Sequence, residues 1–590
     1  MNPGGPLSEL PPPLPPALAS QPDPARWIAF EAPARVRLHT GKVELGQGIL
    51  TALAQILADA LGVRVQQVLV HCASTCAGPD EGHTVGSLSV EQSGAALRAL
   101  GACLHGRLVA LAGCGLKTDP ASLRVEDGVV RWRGEATAFS YWSAAPDLLA
   151  KPVSAEAAAA DWRAGVRQEV GRSLPRIDLP SKLRGGGSFI HDMELPVMRH
   201  AAVLRAPHPL ARLVLIDEER VARRHPQVAI LRRGDFVACV AEAERDARRA
   251  LDLLQSTANW TQPAGEDTAG AAPRDGQCIS EWLSTQAAEN VVLEAAQRPE
   301  PPAQGLRYAA VWTRPFIAHA SIGLACALAH DHDGILEVWS HSQGIFALRQ
   351  QIARVLGREP GTVQVHHRAG AGCYGHNGAD DVALDAALVA TLQPGVPIRA
   401  QWSRAEELSC APVGAAMAVH LDACLDAQGR IAEWNARVMS TSHGTRPGMH
   451  GEPHLLAAAS WDARWASPRT ADVPEAAGGG ASRNARPLYE VGALNLALDF
   501  VASRVRSSSL RSLGAHANVF AIEGMMEELA ALADCEAAEF RLRHLQDPRA
   551  RRVLDRVLAL SDWHAPDRHP QETTLGLGCC GSLTGSSPSG

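Results

Sequence analysis

The sequence predicts an α+β protein of several domains. Three observations carry this: short runs alternate apolar and polar residues with the period of strands, longer runs repeat apolar residues with the period of helices, and 590 residues exceed what one hydrophobic core organises.

Met1 to Pro24 carries Pro11-Pro12-Pro13 and Pro15-Pro16 without a charged start and a continuous apolar stretch, so it reads as an extended arm and not a signal peptide. Val36 to Leu45 reads as a β-hairpin turning at Thr40-Gly41-Lys42. Ile49, Leu53, Ile56, Leu57, Ala60 and Leu61 then recur at helical spacing. This most apolar helical stretch is broken by Gln55 and Asp59 and falls short of a membrane span, so a cytoplasmic protein is expected. Val68 to His71 is a short strand, and Gly94 to Leu111 a helix of small residues. Alanine and proline mark Ala144 to Ala160 as a linker. A small α+β unit follows, with Ala201 to Val214, strand Phe236 to Val240 and helix Ala241 to Leu254; Thr261 to Arg274 is loop.

Further on, Leu324 to Leu328 and Ile335 to Trp339 flank His330-Asp331-His332-Asp333-Gly334, a hairpin signalled by its Asp-Gly turn. Helices are predicted over Phe346 to Leu356 and Asp380 to Leu392, with strand Val363 to His367 between them. Ala457 to Asn484 reads as an exposed insertion, and Asn518 to Leu532 as an amphipathic helix.

A net charge of -7 without a basic patch excludes a nucleic-acid partner. The 13 cysteines are scattered, which fits a reducing compartment; Cys72 and Cys76 lack a second pair for structural zinc, and no cysteine run suits an iron–sulfur cluster. His443, His450 and His454 are unevenly spaced in an apparent loop and read as exposed, as does His366-His367. No residue is assigned as a metal ligand.

Glycine-rich turns carry the chemistry. Gly370-Ala371-Gly372-Cys373-Tyr374-Gly375 lies between a strand and a helix, and Gly46-Gln47-Gly48 precedes another helix. Glycine lets backbone N–H groups approach a ligand, and a helix start offers unpaired N–H groups to an anion. Two such turns suggest one extended cofactor held from several places. The first also fits a dinucleotide fingerprint, although Asp380-Asp381 stands where phosphate would sit. Gln47 can offer its amide to a heterocycle or satisfy the turn's own backbone, and Gln343, at a strand-to-helix junction, is open to the same two readings.

The order of motifs has a family counterpart. Val43-Glu44-Leu45-Gly46-Gln47-Gly48, Gly78-Pro79-Asp80-Glu81, Thr84-Val85-Gly86-Ser87 and Ser93-Gly94-Ala95 resemble the start of a molybdenum-hydroxylase large subunit of the xanthine dehydrogenase family. The isoquinoline 1-oxidoreductase β-subunit and nicotinate dehydrogenase type is most similar. Leu174 to Lys182 resembles the entry to the family's hammerhead domain; Trp339 to Gly344, Gly370 to Asp381, and Arg511 to Glu523 resemble its molybdopterin-binding core. The resemblance implies an arm (1–30), the first part of the molybdopterin-binding region (31–145), a linker (146–166), a hammerhead-like α+β domain (167–265), a molybdopterin-binding α+β domain (290–565) and a Gly/Ser-rich tail (566–590).

By the same resemblance, Gln343 falls beside the metal's oxo group and Tyr374-Gly375 on a Phe-Gly turn near it, with Gly372 in the same loop. Gly46, Gln47, Gly48, Gly86, Ser87, Arg511, Gly514 and Asn518 fall along the pterin, its phosphates and an attached cytosine nucleotide. The implied activity is hydroxylation of N-heterocycles or aldehydes with oxygen from water. The implied partners are a small [2Fe-2S] subunit and a cytochrome c acceptor. The family's Gly-Glu motif is not found after Leu560, so the sequence reads as truncated and of doubtful activity, with no catalytic residue assigned. Gly451-Glu452-Pro453 imitates that motif at the wrong point in the order. A non-catalytic cofactor-binding or assembly subunit and, from the fingerprint, an NAD-dependent dehydrogenase are the alternatives.

Overall fold

Residues 13–159, 169–207, 211–261, 272–296, 305–449, 453–465, 472–561 and 563 are described by the computed structural model of the chain. Their architecture is α+β, built from an N-terminal unit, a central mixed sheet and a second sheet backed by C-terminal helices.

In the N-terminal unit, strands Ile28–Glu31, Arg35–His39 and Val68–His71 form a sheet beside helices Ile49–Leu61 and Ala95–Leu116. Gly48 and Gly62 punctuate the first helix in left-handed conformations. The two helices cross closely because Gly101 has no side chain: a Cβ there would lie 2.3 Å from that of Ala60.

The sequence places the hairpin one element too late. Arg35–His39 pairs with Ile28–Glu31 and not with residues after the Thr40-Gly41-Lys42 turn. Thr40, Lys42 and Glu44 look like outward-facing residues of a strand, yet they are buried against polar partners. Lys42 Nζ donates to the carbonyls of Glu81 (2.6 Å) and His83 (3.0 Å), and Glu81 accepts from Thr40 and from the Gly41 N–H.

Other expectations change for reasons of burial. The arm is packed from residue 13 onward, with Leu18 and Trp27 wholly buried, because those apolar side chains complete the N-terminal core. The supposed linker holds helices Ala145–Leu149 and Ala155–Ala159, and its Leu148 and Val153 join that core. Val90–Leu116 is long and apolar enough to cross a membrane, which the sequence reading missed, but Leu97, Leu100, Leu104 and Leu108 are buried in the same core. Within Ala457 to Asn484, the described residues Ala458, Trp461 and Ala481 are buried, so the insertion is not exposed there.

The central sheet runs in the order Val363–His367, Ile335–Ser340, Cys326–His332, Ile398–Gln401, Arg199–Val203, Phe236–Ala241, Ala229–Arg233. The Asp333-Gly334 turn joins Cys326–His332 to Ile335–Ser340 as an antiparallel hairpin, both residues at positive φ as the sequence predicts. Helices Ile345–Leu356 and Ala379–Leu392 cover one face. Ala379–Leu392 is buried along most of its length, and its carboxylates are paired: Asp385 with Arg205 and Trp402 Nε1, Asp381 with Arg506 and the Leu456 N–H.

The second sheet runs Ala288–Ala295, Ala493–Val501, Ile431–Ser440, Met417–Leu425, Arg307–Arg314. Helix Ala515–Leu532 packs on it through Met525, Met526 and Leu529, and Glu523 receives the buried Arg541 Nε at 2.9 Å. Those residues are covered; Val553, Val557 and Leu560 on the last helix, Pro548–Leu560, are exposed. The loop from Thr261, the tail after residue 563 and Glu452 fall largely or wholly outside the described residues.

Candidate functional site

Three segments distant in sequence meet at one buried polar junction. Strand Ile335–Ser340 ends in His341-Ser342-Gln343-Gly344, where the Ser342 hydroxyl accepts the Gly344 N–H at 3.1 Å and opens the next helix. Gln343 Nε2 donates to the Thr84 carbonyl at 2.9 Å, and the Thr84 N–H donates to the Gln343 carbonyl at 2.9 Å. Gln343 Oε1 accepts from Arg446 Nη2 at 3.1 Å.

Arg446 is 4% exposed. Burial lowers its guanidinium pKa from the ordinary value, and the Asp380 carboxylate opposes that effect. Asp380 lies 3.2 Å from His376 Nε2, and His376 Nδ1 meets the Ser508 hydroxyl at 2.9 Å. His83, against which Gly344 packs so tightly that a Cβ would lie 2.3 Å from its ring, is pushed down to about 4 by burial and then by Arg446. Burial thus disfavours the charged form of the imidazoles around Arg446, whose guanidinium is opposed by the Asp380 carboxylate.

The glycine-rich turn is fixed by close backbone approach. Gly375, at φ +140, bridges to Leu510, and a Cβ would lie 2.0 Å from the Ser509 carbonyl oxygen. The Tyr374 carbonyl accepts the Arg511 N–H at 2.6 Å, while the Tyr374 hydroxyl lies over Gly372, itself at φ +102. Burial raises the Cys373 thiol pKa. Gly514 and Asn518 hold the start of helix Ala515–Leu532 to the 480–483 segment: a Cβ at Gly514 would strike the Gly480 and Ala481 carbonyls, and Asn518 Nδ2 donates to the carbonyls of Ala481 (2.8 Å) and Arg483 (2.9 Å). Asn518 Oδ1 is buried without a hydrogen-bond partner, as is Asp380 Oδ1. Arg511 is exposed.

Gly46-Gln47-Gly48 is organised by its own neighbours. Glu44 Oε1 accepts the N–H groups of Gly46 and Gly48 at 2.9 Å each, and Oε2 that of Leu50 at 3.4 Å. Gln47 closes the turn, accepting from the Leu45 N–H at 2.6 Å and donating to the Val43 carbonyl at 3.1 Å. The helix-start N–H groups expected to meet an anion are thus engaged by a carboxylate of the chain itself. The turn still joins the junction, since the Val43 N–H donates to the Thr84 hydroxyl at 3.0 Å. Gly86 and Ser87 follow in consecutive left-handed conformations.

The sequence reading singles out Gln343 and the Gly370–Gly375 turn but misses Arg446, His83 and His376. A signal existed: Ser442-His443-Gly444 repeats the Ser-x-Gly ending of Ser342-Gln343-Gly344, and the Gly444 N–H likewise donates to the Ser442 hydroxyl, at 3.0 Å. His443 and His367, read as exposed, are buried, and that burial pushes both down to about 3. His454 is buried too.

Residues 14–177 and residues 312–460 each match the molybdopterin cofactor-binding domain. The chain is 30% identical over 571 residues to a subunit of the nicotinate dehydrogenase of Pseudomonas putida, covering 93% of this chain and 45% of that protein. The chain belongs to the molybdenum hydroxylase family. It is also 24% identical over 606 residues to the β-subunit of isoquinoline 1-oxidoreductase of Brevundimonas diminuta, covering 91% of this chain and 72% of that one. The aldehyde oxidoreductase of Desulfovibrio desulfuricans shares the fold, with a TM-score of 0.53 at 14% identity over 68% of this chain and 48% of that one. The chain thus spans about half the length of the first of these relatives.

Family membership gives the junction its meaning, because Thr84 lies in one matched domain and Gln343 and Arg446 in the other. It also displaces the dinucleotide reading of Gly370–Gly375. That turn leads into a helix whose first turn carries two buried carboxylates, Asp380 and Asp381, a start that repels a phosphate.

Proposed function

We propose that this chain is the cofactor-binding part of a molybdenum-dependent oxidoreductase that hydroxylates N-heterocycles or aldehydes with oxygen drawn from water. The observation that carries this reading is the Thr84–Gln343–Arg446 junction, a buried polar point at which the two molybdopterin-domain matches meet. The names of the relatives, nicotinate dehydrogenase and isoquinoline 1-oxidoreductase, support the N-heterocycle class.

The residues present fit such a group. Molybdopterin combines a polar heterocycle with phosphate, and the chain offers a buried guanidinium at Arg446, an exposed one at Arg511, and glycines at positive φ at 86, 372 and 375. When bound, the cofactor supplies two-electron redox chemistry and transfer of a water-derived oxygen. Gln343, clamped by Thr84 and Arg446, presents an amide of fixed orientation, and Tyr374 contributes a hydroxyl at the glycine turn. Gly372, Gly375, Gly514 and Asn518 shape the wall; Gly46, Gln47, Gly48, Gly86, Ser87 and Arg511 are assigned to the pterin, phosphate and cytosine-nucleotide side.

Electrons leave through a small [2Fe-2S] subunit, with a cytochrome c as acceptor, in the cytoplasm. The units 31–145 and 290–565 bind cofactor and 167–265 is hammerhead-like in this proposal. The test is elemental analysis after expression in a cofactor-competent host together with the iron–sulfur partner. About one molybdenum per chain is expected; absence of molybdenum with saturable NAD binding would reject the proposal.

A further inference from the structure

The hairpin Cys326–His332 and Ile335–Ser340 carries a cluster that the cofactor site does not use. Strand alternation puts His330 and His332 on one face, while Asp331 turns to the other and pairs with Arg358. Antiparallel register sets Glu337 directly opposite His330. His332 Nε2 lies 2.9 Å from Glu337 Oε2, and the two imidazoles lie tilted at 30° with centroids 4.2 Å apart. One nitrogen from each histidine and one Glu337 oxygen lie within 4.8 Å of one another.

A second observation concerns the adjacent strand. His366 Nε2 lies 3.5 Å from Glu337 Oε1, while its Nδ1 meets the Ser74 hydroxyl at 2.9 Å. When Ser74 donates to Nδ1, the ring proton sits on Nε2 and faces Glu337, the arrangement by which an outer partner fixes a ligating carboxylate. An ion pair needs one imidazole; this carboxylate has imidazoles on both sides and a third group across the strand.

We infer that His330, His332 and Glu337 form a zinc site at the end of this hairpin, with His366 as a positioning residue for Glu337. Two imidazole nitrogens and one carboxylate suit a borderline divalent ion, whereas calcium and magnesium favour all-oxygen sets. Ligand distances of about 2.0–2.2 Å bring tetrahedral donors to about 3.3 Å from one another, a small closure for half-buried side chains on a hairpin end. Zinc there cross-links two strands, of which Ile335–Ser340 leads at its far end into Gln343. Gln343 lies roughly 20 Å of extended chain from Glu337, so the ion acts on the strands and not on the cofactor.

The experiment uses the full chain, stripped with a chelator and dialysed, then titrated with zinc by calorimetry and with cobalt(II) by visible absorption. One equivalent of zinc is expected, with roughly micromolar or tighter affinity, a rise in unfolding temperature and an intense tetrahedral cobalt band. His332→Gln and Glu337→Gln should each weaken binding at least tenfold and remove the thermal shift; His330→Gln gives the same reading if either fails to fold. His366→Gln should retain the stoichiometry but weaken affinity and move the cobalt band. No saturable binding, or unchanged affinity in these variants, overturns the assignment. So does loss of binding in His71→Gln instead, which would place the ion at the His39–His71 pair, whose rings are 5.3 Å apart.

Discussion

Arg446 is a cation with almost no access to water, so its partners must answer for its charge. Replacing Gln343 by alanine leaves the Arg446 N–H and the Thr84 carbonyl unpaired, and the loss should be about 1–3 kcal/mol. Urea unfolding should read this as a lower midpoint at unchanged slope. Gly375→Ala is a sharper change, because φ +140 and a Ser509 oxygen 2.0 Å from the new Cβ leave no room. It should cost more than about 2 kcal/mol and lower molybdenum content in a cofactor-competent host. Gln343 and Gly375 were legible in the sequence because strand, glycine turn and helix follow in order. Arg446 was not, because its partner lies 103 positions earlier and no local pattern encodes that meeting.

Among the elements, helix Ile49–Leu61 was readable from its stripe, but what starts it was not. Alternation suggested a strand through Glu44, whereas the carboxylate folds under Gly46-Gln47-Gly48 and takes the helix-start N–H groups, with Arg176 Nη2 at 3.3 Å. Glu44→Ala should therefore cost about 1–3 kcal/mol, read by thermal unfolding, and leave the 176–183 segment more open to protease. Arg176 also holds Asp178. Burial raises that carboxyl, yet hydrogen bonds from Arg176 and Lys182 outweigh it and bring the pKa down to about 2. A depressed carboxylate stabilises above its ordinary value near 3.8 and loses that contribution as pH falls through about 2. Asp178→Asn should flatten the stability profile across that window and lower stability near neutrality, where the carboxylate's contribution is fully present, while changing it little below about pH 2.

For the whole molecule, buried histidines set the acid limit. Burial lowers His83, His319 and His341 to about 4 from an ordinary 6.5. The unfolded chain takes up protons first, so stability should fall as pH drops from about 6.5 to about 4, before the carboxylates titrate. Unfolding midpoints measured through that range check this; a flat profile would contradict it. Composition gave no hint of it, since a histidine's burial depends on which strand ends converge. The sequence suggested a succession of units but not the sheet that links distant segments: Ile398 pairs with Arg199 in parallel register about 200 residues later. That pairing has a consequence in time. At a ribosomal pace of about 5–20 residues per second, the Arg199–Val203 strand waits roughly 10–40 s with its edge unsatisfied before its neighbour is synthesised. Nascent chains arrested between those two points should bind chaperones or sediment, and release from both should coincide with emergence of residues 398–401.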